Sequence, residues 1–92
     1  MNSWLNKDPD EVLDYQFDWT ARLVTGELIA ASTFTVPQGT VVMDSDGFTP
    51  QGVATVWLSG GAAGELCLIN NHITTTLGRE YDETAKLRIR NK

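Results

Sequence analysis

Ninety-two residues, a net charge of −5 at pH 7 and 41% hydrophobic content point to one domain with a modest core. The negative charge argues against the phosphate backbone of a nucleic acid as the main partner. No apolar run approaches the roughly 20 residues that cross a bilayer, which argues against a membrane partner.

Residues 1–10 have no usable periodicity and read as an extended N-terminal arm carrying Trp4 and Leu5, ahead of a domain over residues 11–92. The start lacks a charged segment followed by an apolar core, so no signal peptide is visible. Lys7-Asp8-Pro9-Asp10 breaks regular structure, and a helical turn over residues 9–12 with Asp8 as cap fits there. The arm holds too little periodic apolar content to fold back as a strand.

Residues 13–23 carry the cleanest pattern. Leu13, Tyr15, Phe17, Trp19, Ala21 and Leu23 alternate with Asp14, Gln16, Asp18, Thr20 and Arg22, which predicts a half-buried antiparallel strand. Thr25-Gly26-Glu27 reads as a turn returning the chain into a second strand, so the two look like a hairpin. That second strand, residues 28–36, has apolar residues on both faces near its start, which predicts a central position. Either Leu28, Ala30, Ser32, Phe34 and Val36 share the core face, or a bulge near Ser32 lets Ile29 and Ala31 face in with Phe34 and Val36. Pro37 and Gly39 close it.

Residues 40–43 form a short strand, Asp44-Ser45-Asp46-Gly47 a polar turn, and residues 48–52 a continuing loop. Residues 53–58 are apolar on both faces and belong inside a sheet. Ser59 to Gly64 is a flexible link of small residues. Residues 65–75 form a long strand with Cys67, Ile69, Asn71 and Ile73 on the core face. Residues 83–90 form the last strand, Ala85, Leu87 and Ile89 in, Lys86, Arg88 and Arg90 out. The expected core is Tyr15, Phe17, Trp19, Phe34, Val36, Trp57, Ile69, Ile73, Leu87 and Ile89. Six or seven short strands with regular turns predict an all-β immunoglobulin-like Greek-key β-sandwich; a small closed barrel is the alternative.

Little in the chain carries catalytic chemistry. His72 is the only histidine, and no G-x-S-x-G elbow stands near it. Cys67 is the only cysteine, which excludes an internal disulfide and fits a reducing compartment. On the core face it reads as a small apolar residue. Asp44, Asp46 and Gly47 resemble the start of a calcium loop without its downstream glutamate. No metal, cofactor or enzymatic activity is expected. Asn71, polar between Ile69 and Ile73, is expected to be a structural polar residue bonded to a neighbouring loop backbone.

Charge is uneven. Asp8, Asp10, Glu11, Asp14 and Asp18 make the first part acidic, and Lys86, Arg88, Arg90 and Lys92 make the end basic. Two solvated strand faces account for this; a head-to-tail contact between copies is the sharper reading. In that contact Trp4 and Leu5 would supply affinity, and Asp8, Asp10 and Glu11 would meet Lys86, Arg88 and Arg90 to set the register. The alternative is an arm packed on its own domain, or disordered.

Several stretches in order carry a resemblance: Lys7-Asp8-Pro9-Asp10-Glu11-Val12-Leu13-Asp14-Tyr15 with Asp18-Trp19; residues 29–39; Val56-Trp57-Leu58-Ser59-Gly60-Gly61; then Asn71-His72-Ile73-Thr74-Thr75 with Gly78-Arg79. Together they resemble the small tailed-bacteriophage fibre–tail adaptors of immunoglobulin-like fold. Phe34, Cys67 and His72 stand where that pattern has Trp, an aromatic and Arg. The resemblance implies a non-enzymatic virion structural protein, made in the bacterial host cytoplasm, that contacts its own copies and other virion proteins of tail, fibre or head. A capsid decoration protein, or an immunoglobulin-like surface or glycan-binding module, is the alternative; for glycans only Phe48 and Tyr81 are loop aromatics.

Overall fold

The computed structural model describes residues 2–92; Met1, first residue of the expected 1–10 arm, lies outside them. The described residues are all-β, with no helix. The strands are β1 (Asn2–Ser3), β2 (Leu13–Asp18), β3 (Ile29–Gln38), β4 (Val41–Thr49), β5 (Val53–Gly60), β6 (Leu66–Thr75) and β7 (Glu80–Arg88). Six of them, β2 to β7, pair antiparallel in two sheets ordered β7-β6-β3 and β2-β5-β4. The two-residue β1 adds a parallel edge to β7.

In β2 the alternation works as written. Tyr15 and Phe17 are buried while Asp14, Gln16 and Asp18 face water. The ladder stops at Asp18, short of the expected end at residue 23. Asp18 Oδ1 accepts from the Thr20 amide (2.9 Å) and hydroxyl (2.7 Å), and this local turn outcompetes the ladder. Trp19 is nonetheless buried. The expected hairpin does not form either, because β2 and β3 lie in different sheets. The turn at Gly26 exists, but it carries the chain across the sandwich. Glu27, buried, fixes the crossing by accepting from the Val24 amide (3.0 Å) and the Thr75 hydroxyl (2.6 Å).

The strand expected at the centre, β3, is an edge strand bonded only to β6. A register shift between Ile29 and Ala31 lets Ile29 and Phe34, of opposite parity, both reach the core. That explains the apolar residues on both faces without a central position. Pro37 lies inside β3, where an edge tolerates its missing N–H.

Asp44-Ser45-Asp46-Gly47 is not a turn. It runs within β4, with an irregularity between Met43 and Ser45 that leaves Asp44 as the extra residue. The chain reverses instead at residues 50–52, where Gly52 adopts φ 135° and its N–H reaches the Thr49 carbonyl at 3.1 Å. Phe48 and Tyr81 are therefore strand residues, not loop aromatics.

The middle strand β5 buries Ala54, Val56 and Leu58 completely and turns Trp57 outward, 43% exposed, so Trp57 leaves the expected core. Thr55 and Ser59 share its parity, and those polar residues mark the solvent face. Strands β6 and β7 bury Cys67, Ile69, Asn71, Ile73, Ala85 and Leu87, and Ile89 follows just beyond β7. Across the layers Phe17 meets Phe34 with ring centroids 6.1 Å apart, and Phe17 and Trp19 stack at 6.4 Å. The buried Asn71 amide ties the sheets together. Its Oδ1 accepts from Trp19 Nε1 at 2.8 Å, and its Nδ2 donates to Ser32 Oγ (2.9 Å) and the Thr33 carbonyl (3.2 Å).

The N-terminal segment does fold back. Asn2 and Ser3 pair with Ala85 and Lys86, and the Trp4 and Lys7 amides donate to the Lys86 and Arg88 carbonyls at 2.9 and 3.0 Å. The outer edge of β7 offers unpaired backbone groups, so a short segment docks without an alternating pattern of its own.

Candidate protein interaction surface

The expected contact residues sit at one end of the sandwich, around the N-terminal segment. Trp4 is half-buried and stacks on Tyr15, centroids 4.8 Å apart, with Phe17 at 5.0 Å. Leu5, next in the chain, points away and is 87% exposed. Tyr15 donates its hydroxyl to the Leu5 carbonyl at 3.3 Å, which holds the segment against β2. Between them opens a groove of about 570 Å³ lined by Trp4, Leu5, Glu11, Leu13, Tyr15 and Lys92 among others.

The acidic turn is built from its own sequence. Asp8 Oδ1 accepts from the Asp10 amide at 2.8 Å, and Glu11 Oε1 reaches back to the Asp8 amide at 2.7 Å. With the Glu11 amide on the Asp8 carbonyl at 3.0 Å, these bonds close one turn in the manner of a helix N-cap, without a helix behind it. The Asp10 amide, with that of Lys92, holds the Asp8 carboxyl below its ordinary pKa; the Asp8 amide, then Lys92, does the same for Glu11. Asp8 Oδ2 accepts from the Lys92 amide at 2.7 Å, and Glu11 pairs with Lys92 Nζ at 2.9 Å. The acidic turn thus meets Lys92 within one chain. Asp10 is exposed, and none of these carboxylates bonds Lys86, Arg88 or Arg90, which point outward on or just past β7.

Lys7 carries a role that sequence reading missed. It is fully buried, and its ammonium donates to the Asp8 carbonyl (2.8 Å) and the Gly60 carbonyl (2.7 Å). It clips the N-terminal segment and the end of β7 to the end of β5. A lysine beside aspartates carries no sequence signal for burial, so only the fold reveals it.

The titratable groups are set up for structure. His72 lies between Asp82 (Nδ1, 2.9 Å) and Glu80 (Nε2, 2.9 Å), and the Asp82 and then the Glu80 hydrogen bond raise its pKa. Burial, with the Glu65 hydrogen bond second, pushes the Cys67 thiol up. Glu65 Oε1 accepts from the Thr40 hydroxyl (2.7 Å), the Thr40 amide (3.0 Å) and the Ala62 amide (3.1 Å), bonds that pull its carboxyl down to about 2. It pins the β3–β4 corner to the β5–β6 loop.

A family model described as "Podophage GP4 fiber-tail adaptor protein gp77" matches residues 7–88, most of the chain. No curated protein matches it.

Proposed function

The chain belongs to the podophage GP4 fiber-tail adaptor protein gp77 family, and we propose that it is a non-enzymatic part joining tail, fibre or head–tail components through contacts made in several copies. Membership in the family makes it a bacteriophage structural protein and a virion component. The observation that carries the reading is the match over residues 7–88.

The geometry supports it. The strand order fits an immunoglobulin-like Greek key, with β2-β5-β4 as the B-E-D layer and β7-β6-β3 as G-F-C. Such a scaffold holds surface residues rigidly. The chain would be made in the host cytoplasm, which suits the free, buried Cys67. In this reading the N-terminal segment with the turn after it, residues 2–10, belongs to the contact surface as well as to the fold. Leu5 and the groove beside it offer an apolar contact with a charged rim of Glu11, Asp14 and Lys92.

The test is to purify mature particles and count copies of this chain by quantitative mass spectrometry. A fixed copy number that follows tail or portal symmetry is expected. Absence from mature particles, or a number scaling with capsid area, would refute the adaptor reading.

A further inference from the structure

The outer faces of the two sheets carry patches of opposite charge. The outer face of the three-stranded sheet holds Asp14, Asp18 and Asp44, and its strands contain no lysine or arginine; Asp46, paired with the buried Val56, has the other parity. At the middle of its outer face stands Trp57, paired in register with Asp14 on one side and Ser45 on the other. Val42, 54% exposed, lies across from Ser59, whose hydroxyl donates to Asp44 at 3.0 Å. The patch is an exposed tryptophan and valine ringed by carboxylates.

The opposite face carries Glu80 and Asp82 beside His72 at the start of β7 and cations toward its end. Of the seven basic residues, Lys7, Arg22, Arg79 and Lys92 bond or pair within the chain. Lys86, Arg88 and Arg90 make no ion pair among the described residues. They alternate along β7 and just beyond, so they stand roughly 7 Å apart in a row. Leu68 and Leu66, half-buried, face Lys86 and Arg88 across the ladder. Asp14 and Asp18, four residues apart on β2, have the same spacing as Lys86 and Arg90.

Both patches sit at the same end of the sandwich. The Lys7 ammonium bonds the Gly60 carbonyl three residues past Trp57, while the Lys7 backbone bonds Arg88 and Arg90. We propose that the acidic Trp57 face of one copy docks on the Lys86–Arg88–Arg90 face of the next. This rests on the multi-copy reading above and deepens it. The contact is heterologous, so it closes into a ring where the rotation between copies closes and runs on as a filament where it does not. Trp57 supplies the buried anchor, with a cation–π contact to a facing guanidinium; the carboxylates set the register. The free edges are guarded against pairing instead: β4 by its irregularity and its aspartates, β3 by Pro37.

The experiment is sedimentation velocity on the purified full chain and two surface variants, Asp14→Lys/Trp57→Ala and Lys86→Glu/Arg88→Glu, with circular dichroism as the folding control. All the changed residues are solvent-facing, so both variants should fold. Wild type should form a discrete oligomer that weakens with salt, and each variant alone should be monomeric. Mixed one to one, the variants each keep one good face and should form heterodimers that grow no further. A wild type monomeric up to about 1 mM, variants that assemble as wild type, or a mixture that gives no dimer each overturns the proposal. So does a variant that self-assembles normally yet drops out of particles, since that face then serves another virion protein. Self-association is read on the purified chain and the adaptor role on particles, so the two can fail separately.

Discussion

Replacing Asn71 with Leu tests whether a polar group holds the two layers in place. The amide is completely buried and uses both ends, accepting from Trp19 Nε1 and donating to Ser32 Oγ and the Thr33 carbonyl. Leucine has the same branched outline and is larger, so no cavity forms. The loss lies in the partners: a buried indole N–H without an acceptor costs about 1–3 kcal/mol, and two acceptors lose a donor at about 0.5–1 kcal/mol each. The sum is about 2–5 kcal/mol, with a middle value of about 3, a large share of the 5–15 kcal/mol of a typical domain. With a urea m-value of about 1 kcal/mol/M for a chain of this size, the midpoint should fall by about 3 M at unchanged m. Trp19→Phe removes the donor and keeps a ring in the core. In that background Asn71→Leu should cost about 1–2 kcal/mol less, the coupling of the pair. Asn71→Leu within about 0.5 kcal/mol of wild type, or a strictly additive cycle, refutes the reasoning.

The Asp82 and then the Glu80 hydrogen bond raise the pKa of His72, and a raised folded pKa contributes stability that is complete below the unfolded value of about 6.5. That contribution is lost as pH rises through the folded value, so the stability gap between wild type and His72→Gln should shrink from pH 6 to pH 9 in urea titrations. Glu65 runs the other way: its contribution is complete above about 4.5 and is lost as pH falls through about 2. Glu65→Gln should therefore flatten the acid unfolding curve followed by tryptophan fluorescence. Gly39 has φ 109°, and a Cβ there would meet Cys67 Sγ at 2.4 Å, so Gly39→Ala should cost about 2–4 kcal/mol by thermal unfolding. Trp4→Ala should lower stability by about 1–3 kcal/mol through the lost Tyr15 stack. Leu5→Glu, in contrast, should leave stability within about 0.5 kcal/mol and reduce incorporation into particles, read by mass spectrometry.

The fold was legible wherever one period ran without interruption. Strands β2, β6 and β7 alternate strictly, and the buried set follows the alternation at Tyr15 and Phe17, at Cys67 to Ile73 and at Ala85 to Ile89. Legibility failed where an irregularity or an edge altered the rule. The shift between Ile29 and Ala31 changes which face of β3 points inward partway along; apolar residues on both faces raise a bulge near Ser32 as one of two readings, without choosing it or placing it. The exposed β4 reads as a turn because an edge strand needs little apolar content, and aspartates there discourage further pairing. Partner choice was illegible for a different reason. Thr25-Gly26-Glu27 specifies a reversal, and only the contacts of Glu27 with Thr75 decide that the reversal crosses between layers.

The candidate site divides along the same line. Identity and outward direction of Lys86, Arg88 and Arg90 follow from period two alone. The fate of the acidic turn does not, since Lys92, beside them in sequence, takes Asp8 and Glu11 for itself. With those charges satisfied within the chain, Lys86, Arg88 and Arg90 are left exposed and without an ion pair among the described residues, which is the premise of the proposed contact between copies. Trp57 was hidden from sequence reading because both faces of β5 look apolar. Its position opposite Asp14 becomes visible only when β2 and β5 are set in register. Trp57 is 43% exposed beside the Asp14 carboxylate, and the proposed contact between copies would cover the part of the ring that the fold leaves in water.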